Sequence, residues 1–289
     1  KETLHGPMSN PERMFVSIVT VTYNPGELLE PTMRSVAEQV GVQIDYVVVD
    51  GASKDGTVER LRAFGEQVQG ELVQGQPVHG GSLDFRWVSE PDRGLYDAMN
   101  KGLVMAQGDY VLFLNAGDTL AHPRVLADLW SERKGAAVYY GQAMVVESMG
   151  GRELGLRKPL PPQHLNWRSL RFGMVVSHQA FVIKRERALP YDLQYRICAD
   201  IDWMIRCLRA LGPGALGPEV VSSKALGVHF ADRVLVHFLD GGLSSQRRKA
   251  AWKERFLIMS RHYGPLNNLL NHGWIVIRYV LRRFVPNFA

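Results

Sequence analysis

A run of β-branched residues, Tyr46-Val-Val-Val, ends in a carboxylate at Asp50 and passes at once into Gly-Ala-Ser-Lys-Asp-Gly-Thr57. A buried parallel strand reads this way when it delivers an acidic residue to the carboxyl edge of a sheet, where open α/β folds bind ligands. A second acidic turn, Leu114-Asn115-Ala116-Gly117-Asp118, follows another apolar run. A carboxylate there suits a divalent cation shared with phosphate oxygens, because magnesium and manganese prefer oxygen ligands. A solvated turn is the plainer alternative for Asp118. Between the two lies Ser89-Glu-Pro-Asp92-Arg93-Gly-Leu-Tyr-Asp-Ala-Met-Asn100-Lys101-Gly102, a turn that becomes a helix near Leu95. Amides at such a helix start, with a guanidinium beside them, favour an anion. Asp92 and Arg93, in the rigid turn, are the stronger candidates; Lys101 suits a solvated helix face equally well.

These residues need strands to carry them. Phe15–Thr22 is an apolar strand ending in Thr22-Tyr23-Asn24-Pro25, and with a helix-compatible stretch from Glu27 to Val40 and the strand ending at Asp50 it makes a βαβ unit. Asp109–Leu114 reads as a third strand, and Val68–Ser82, rich in Gly and Gln, as a surface excursion. Residues 119–176 hold a helix near Pro123–Lys134, a strand pattern at Ala136–Val146 and a Pro-rich connection; 177–245 hold an apolar run to Ile183 and a helix at Ala199–Leu211. The chain of 289 residues can bury one large α/β core, and its net charge of +5 is modest. No run is long enough to span a bilayer and no cleavable signal pattern opens the chain. Cys198 and Cys207 lie on opposite faces of one expected helix, which argues against a disulfide and for a reducing, cytoplasmic setting.

Thr22-Tyr-Asn, Asp50-Gly-x-Ser53-x-Asp-Gly-Thr, Asp92-x-Gly-x-Tyr-Asp-Ala-Met-Asn-Lys-Gly and Leu114-Asn-Ala-Gly-Asp118, in that order, resemble the family 2 glycosyltransferases of GT-A fold. The resemblance is to the bacterial branch that builds capsule, exopolysaccharide and O-antigen, and it covers roughly residues 14–245. It implies an α/β, Rossmann-like, mostly parallel sheet flanked by helices. It divides the chain into a nucleotide-sugar half (14–118) and an acceptor half (119–245), with a helical extension at 246–289. It also implies a metal-dependent hexosyl-type transferase that inverts the anomeric carbon, using a nucleotide-sugar donor and a divalent metal, Mn or Mg. Carried over by position, Asp50 contacts the base or ribose above the Thr22, Tyr23, Asn24 turn, with Ser53 beside it. Asp92, Arg93 and Asn115 line the donor side, and Asp118 binds the metal that bridges the diphosphate. Gly117 and Asn115 stand where relatives carry acidic residues.

Ala199-Asp200-Ile-Asp202-Trp-Met-Ile-Arg206 resembles the family's Glu-Asp-x-Asp helix start, with Ala199 for the Glu. Inverting transfer needs a base for the acceptor hydroxyl proton, and a carboxylate at a helix N-terminus stays ionised. Asp200 matches the family base, and Asp202 is the alternative on the acceptor side; both also suit simple helix capping. In relatives a pair like His178-Gln179 faces the acceptor. His237, ahead of Gly241-Gly-Leu-Ser244, is a candidate third metal ligand, or a packed core residue.

The family's processive synthases carry Gln-x-x-Arg-Trp and membrane spans. Here Gln246-Arg-Arg-Lys249 lacks the tryptophan, which favours one sugar added per encounter to a glycan or lipid-linked acceptor. In Leu269–Phe288, Trp274, Ile277, Leu281, Phe284 and Val285 fall at helical spacing while Arg278, Arg282 and Arg283 cluster. A basic amphipathic helix of this kind suits peripheral contact with the inner face of the plasma membrane, and equally a helix packed on the catalytic domain. No nucleic-acid partner is expected. The absence of a Gly-rich loop after the first strand counts strongly against a pyrophosphorylase, and a non-catalytic nucleotide-sugar-binding scaffold is the remaining alternative.

Overall fold

The computed structural model describes residues 13–73, 82–148, 151–212, 227–241, 247–271 and 273. In chain order the main elements are β1 (Phe15–Thr22), α1 (Leu29–Ala37), β2 (Gln43–Asp50), α2 (Thr57–Val73), β3 (Ser82–Ser89), α3 (Leu95–Met105), β4 (Tyr110–Phe113), β5 (Thr119–Leu120), α4 (Val125–Glu132), β6 (Val138–Val146), β7 (Glu153–Leu156), β8 (Phe181–Lys184), α5 (Ala199–Ala210), β9 (Val228–Leu239) and α6 (Arg248–Tyr263).

Nine strands form one sheet in the order β3-β2-β1-β4-β8-β6-β9-β5, with β7 on β6. The first four run parallel; β8 is antiparallel to both β4 and β6, and β9 runs parallel to β6. Every residue of β1 is buried, as expected of a parallel strand with helices on both faces. Val19 and Val21 face a core shared with Val47, Met99, Phe113 and Trp203. Val16 and Ile18 face the opposite core, with Tyr46, Leu29 and Leu126.

The buried carboxylate inside this sheet is paired, which offsets the cost of burying it. Asp45, on β2, accepts from Ser17 Oγ at 2.5 Å and from the Gln107 amide at 2.8 Å, and it pairs with Arg86 of β3. Helix α3 packs on β1 at Gly102, where a Cβ would meet Val19 Cγ1 at 2.3 Å.

The expected surface excursion at Val68–Ser82 is corrected: helix α2 continues to Val73, and Ser82 opens strand β3. That strand escapes a hydrophobic scan because Asp84 and Arg86 interrupt it. The strand at Tyr110–Phe113, expected as third, is therefore fourth. Cys198 and Cys207 are both buried free thiols, and burial pushes each up to about 12. Helix α6, within the expected C-terminal extension, buries Ala251, Ile258 and Met259 in the core that holds α5. Trp167 stacks on Tyr263 and Arg209 lies 4.2 Å from the Trp167 ring centroid, fastening α6 to α5. No helix among the described residues is long and apolar enough to cross a membrane. Trp274 through Val285, with Arg278, Arg282 and Arg283, lie outside the described residues, as do Gly242–Ser244.

Candidate active site

Register places Thr22, Asp50 and Ser89 in one row across the carboxyl ends of β1, β2 and β3. Asp50 is 0% exposed. It accepts from Ser89 Oγ at 2.6 Å, from the Ser53 amide at 2.9 Å and from the Ser53 hydroxyl. Ser53 Oγ accepts from the Asn24 amide at 2.7 Å, and Asn24 Oδ1 from the Lys54 amide at 2.8 Å. Asn24 takes φ 47°, a left-handed conformation Asn tolerates better than most residues. The Asp55 carboxylate ties the turns again, accepting from the Gly26 amide at 2.7 Å. The turns after β1 and β2 are thus one laced platform. Tyr23 stands on it with 67% of its surface exposed, while the Thr22 hydroxyl is buried without a hydrogen-bond partner.

Asp92 rises over this platform: a Cβ on Gly51 would meet its Oδ2 at 2.6 Å, while its Oδ1 accepts from the Gly94 amide at 2.7 Å. Gly51 is therefore what allows the carboxylate to sit there. Arg93 is exposed and its guanidinium is committed to Asp97 at 2.9 Å. Lys101 reaches the start of this turn, donating also to the Pro91 carbonyl at 2.9 Å, whereas Asn100 points elsewhere. Asn100 exchanges two hydrogen bonds with the Tyr191 backbone, at 2.9 and 2.7 Å, and Lys101 pairs with Glu90 at 2.7 Å.

Asp118 is 5% exposed, with one carboxylate oxygen accepting from the Leu239 amide at 3.1 Å and the other from Gln179 Nε2 at 2.8 Å. Burial pushes its pKa up to about 6, against the lowering effect of these two bonds and of nearby His178. His178 lies in a short turn just ahead of β8. It bridges two elements, with Nε2 3.3 Å from Asn115 Nδ2 and Nδ1 3.5 Å from Asp200 Oδ2. If Asn115 donates to Nε2, the ring proton sits on Nδ1, facing the carboxylate.

Asp200 opens α5. Its Oδ1 accepts from the Ile201 amide at 3.0 Å and from the Tyr96 hydroxyl at 3.3 Å. Its carboxylate lines a cleft of about 260 Å³. Tyr96, Tyr191 and Trp203 stack beneath, with centroids 5.3 and 5.0 Å apart. Sequence reasoning missed the group that sets this helix start. Glu254 of α6 accepts from three consecutive amides, Arg196, Ile197 and Cys198, at 2.6, 2.7 and 2.6 Å. The absence of a carboxylate at Ala199 was the available signal.

Asp202, expected on the acceptor side, points away from the cleft. It is fully buried, bonded to Arg206 Nε at 2.6 Å and His262 Nε2 at 2.7 Å, and it does not line the cleft. Burial alone would raise its pKa, but the His262 and Arg206 hydrogen bonds hold it below the usual carboxylate range.

His237 lies on β9, the strand that pairs with the one after Asp118. It pairs in register with Thr119 and lies 3.9 Å from Glu153. No cluster of three or more His, Cys, Asp or Glu side chains suited to a metal occurs among the described residues. One carboxylate remains, with the buried Asn115 Oδ1, which has no partner. This all-oxygen pair fits a hard divalent cation only where substrate phosphates complete the shell.

A family model for glycosyl transferase family 2 matches residues 17–190. The chain belongs to that family. Among relatives of this glycosyltransferase is a PGL/p-HBAD biosynthesis glycosyltransferase of Mycobacterium bovis, 30% identical over 197 residues, covering 66% of this chain and 68% of the relative. A putative teichuronic acid biosynthesis glycosyltransferase, TuaG of Bacillus subtilis, is 33% identical over 103 residues, 36% of each chain. The solved structure of S. aureus TarS superposes with TM-score 0.57 at 15% identity, over 85% of this chain and 64% of that one. This chain therefore spans under two thirds of the TarS structure. Glucosyl-3-phosphoglycerate synthase from Mycobacterium tuberculosis gives 0.52 at 17%, over 90% and 86%. The sheet with its flanking helices is the expected GT-A fold.

Proposed function

We propose that this glycosyltransferase moves one sugar per encounter from a nucleoside-diphosphate donor to an acceptor hydroxyl, with inversion, in the building of bacterial surface glycans. The observation that carries the reading is Asp200, a carboxylate at a helix start. Its Oδ1 lies 3.0 Å from the Ile201 amide and 3.3 Å from the Tyr96 hydroxyl, whose shorter bond goes to the Ile197 carbonyl at 2.8 Å, and the residue lines a cleft. The acceptor O–H gives its proton to Asp200 while the oxygen bonds to the anomeric carbon; the bond from that carbon to the diphosphate oxygen breaks, and its electron pair leaves with the nucleotide. The His178 Nδ1 proton, placed as above, steadies the negative charge on Asp200 before the proton arrives.

On the donor side, Tyr23 offers an exposed ring against which a base can stack. Asp50, with every oxygen engaged, acts by holding Ser53 and Ser89 in place, and Asp92 stands free to accept from base or ribose. Thr22 Oγ1 and Asn115 Oδ1 are acceptors awaiting a donor. Support for a nucleotide donor comes from TarS, solved with UDP-GlcNAc, and from the synthase solved with UDP. A divalent cation would be held by Asp118 and Asn115, where it would neutralise the leaving diphosphate. The name of TuaG, a putative teichuronic acid biosynthesis glycosyltransferase, favours surface glycans.

The test is Asp200→Asn. Turnover should fall about a hundredfold or more, the scale of a positioned base, with nucleoside diphosphate affinity unchanged. A variant that keeps wild-type turnover removes the base, and a wild-type chain that binds nucleotide but never consumes a donor sugar makes it a scaffold.

A further inference from the structure

The cleft that opens on Asp200 is lined by three arginines from two parts of the chain, Arg157 just after β7 and Arg248 and Arg255 on α6. Met174, Trp252 and the Ile197–Ile201 turn complete the wall. None of the three guanidiniums has an ion-pair partner in contact among the described residues. Arg157 Nη1 reaches the Met174 carbonyl at 3.4 Å and Arg255 Nη2 the Phe172 carbonyl at 3.1 Å. A guanidinium carries five N–H donors, and these single bonds leave most of that capacity of Arg157 and Arg255 uncommitted.

Arg157 and Arg255 are half-buried, and burial pulls both pKa values down, with Asp200 opposing the shift. Glu254, one residue before Arg255, directs both its oxygens to backbone amides and forms no ion pair with the three guanidiniums. The fold also makes room for this charge. At Gly173, φ 120°, a Cβ would meet Arg255 Nη2 at 1.5 Å. Holding unpaired charge away from water is costly unless something pairs with it.

We infer that the acceptor is anionic: a phosphate or carboxylate group on it seats between Arg157 and Arg255, with Arg248 at the mouth, and presents a neighbouring hydroxyl to Asp200. The inference rests on Asp200 being the base. The donor's own diphosphate is the competing occupant of three arginines, but none of Thr22, Asp50, Asp92 or Asp118 lines this cleft. Trp252, 61% exposed at the rim, supplies a flat apolar face for a sugar ring. A site built to pair with a charged group leaves those partners stranded when a neutral analogue enters, which is how binding sites reject such analogues by large factors.

The test uses the full chain with inorganic phosphate and a hexose 1-phosphate as probes, read by calorimetry and by the quenching of Trp252, assigned with Trp252→Phe. Arg157→Gln with Arg255→Gln should weaken phosphate binding about tenfold or more, the scale of lost charge-assisted hydrogen bonds. UDP binding should stay unchanged in that variant. The exposed Arg248→Gln, which carries little risk to the fold, should show a smaller loss of the same kind, and Arg168→Gln, outside the cleft, none. Vesicles carrying phosphatidic acid distinguish the sources: binding to the hexose phosphate alone assigns a soluble acceptor, and Arg-dependent binding to the vesicles a lipid-linked one. Phosphate affinity unaltered in the double variant overturns the inference, because the arginines are then not its seat. Displacement of phosphate by UDP also overturns it, because the anion is then the donor's. An Asp200→Asn variant with normal turnover strikes the base assignment instead and leaves the phosphate result standing.

Discussion

Asp200 and Asp202 share a helix turn and a residue type, yet their surroundings give them opposite duties. Asp200 lines the cleft, whereas Asp202 is sealed between Arg206 and His262. Removing the Asp202 charge leaves two donors stranded, so Asp202→Asn should cost about 2 kcal/mol of stability, within the range for broken buried pairs, and lower Tm by several degrees. Its folded pKa lies below the ordinary value of about 4. Its stabilisation is therefore complete above that value and drains away as pH falls through the lower folded one. Chemical denaturation across pH should show wild type and variant converging in acid, with turnover at neutral pH within about threefold. A hundredfold loss of turnover in a fully folded variant would return Asp202 to the reaction. The spacing of two aspartates displayed both candidates; His262, sixty residues away, is what separates them, and no local pattern announces it.

Elements succeed or fail on single approaches. Helix α3 reaches β1 only because position 102 has no side chain, and Gly102→Ala should cost about 1–3 kcal/mol through forced displacement of Val19. Unfolding midpoints measure this, and an unchanged midpoint would mean the helix shifts freely. The start of α5 depends on Glu254. In Glu254→Gln each amide loses a charged acceptor, so the turn at 196–198 should loosen and kcat should fall about tenfold. Because the base stays in the molecule, the pH profile should change shape as well, and Glu254→Asp should restore part of the rate. A drop in Tm without any change in kcat would make the contact purely structural. β1, β2 and β4 were legible because their largely apolar runs are short and end in polar turns, which marked the sheet edge. β3 was hidden by Asp84 and Arg86, whose meaning lies in the buried Asp45 on its neighbour. The arginines of the cleft were equally silent, since Arg157 and Arg255 stand almost a hundred residues apart.

Across the whole molecule, the donor platform and the acceptor cleft are joined by Asn100, whose side-chain amide donates through Nδ2 to the Tyr191 carbonyl and accepts through Oδ1 from the Tyr191 amide. Asn100→Ala removes both bonds without touching either site. The expected outcome is a loss of roughly 2 kcal/mol from two bonds of about 1 kcal/mol each, with Km for donor and acceptor both rising. Kinetics in which only one substrate is affected would show that the two regions are positioned independently.

The sheet order carries a consequence for how the chain leaves the ribosome. β6 lies between β8 and β9, and β9 ends about ninety residues after β6 does. At a synthesis rate of roughly 5–20 residues per second, one flank of β6 waits about 5–20 s for its neighbour to emerge. During that interval its backbone donors and acceptors are open to any other extended segment nearby. Nascent chains of this enzyme therefore present a sticky strand for seconds at a time, and chaperone occupancy on stalled translation intermediates should peak between the emergence of β6 and that of β9.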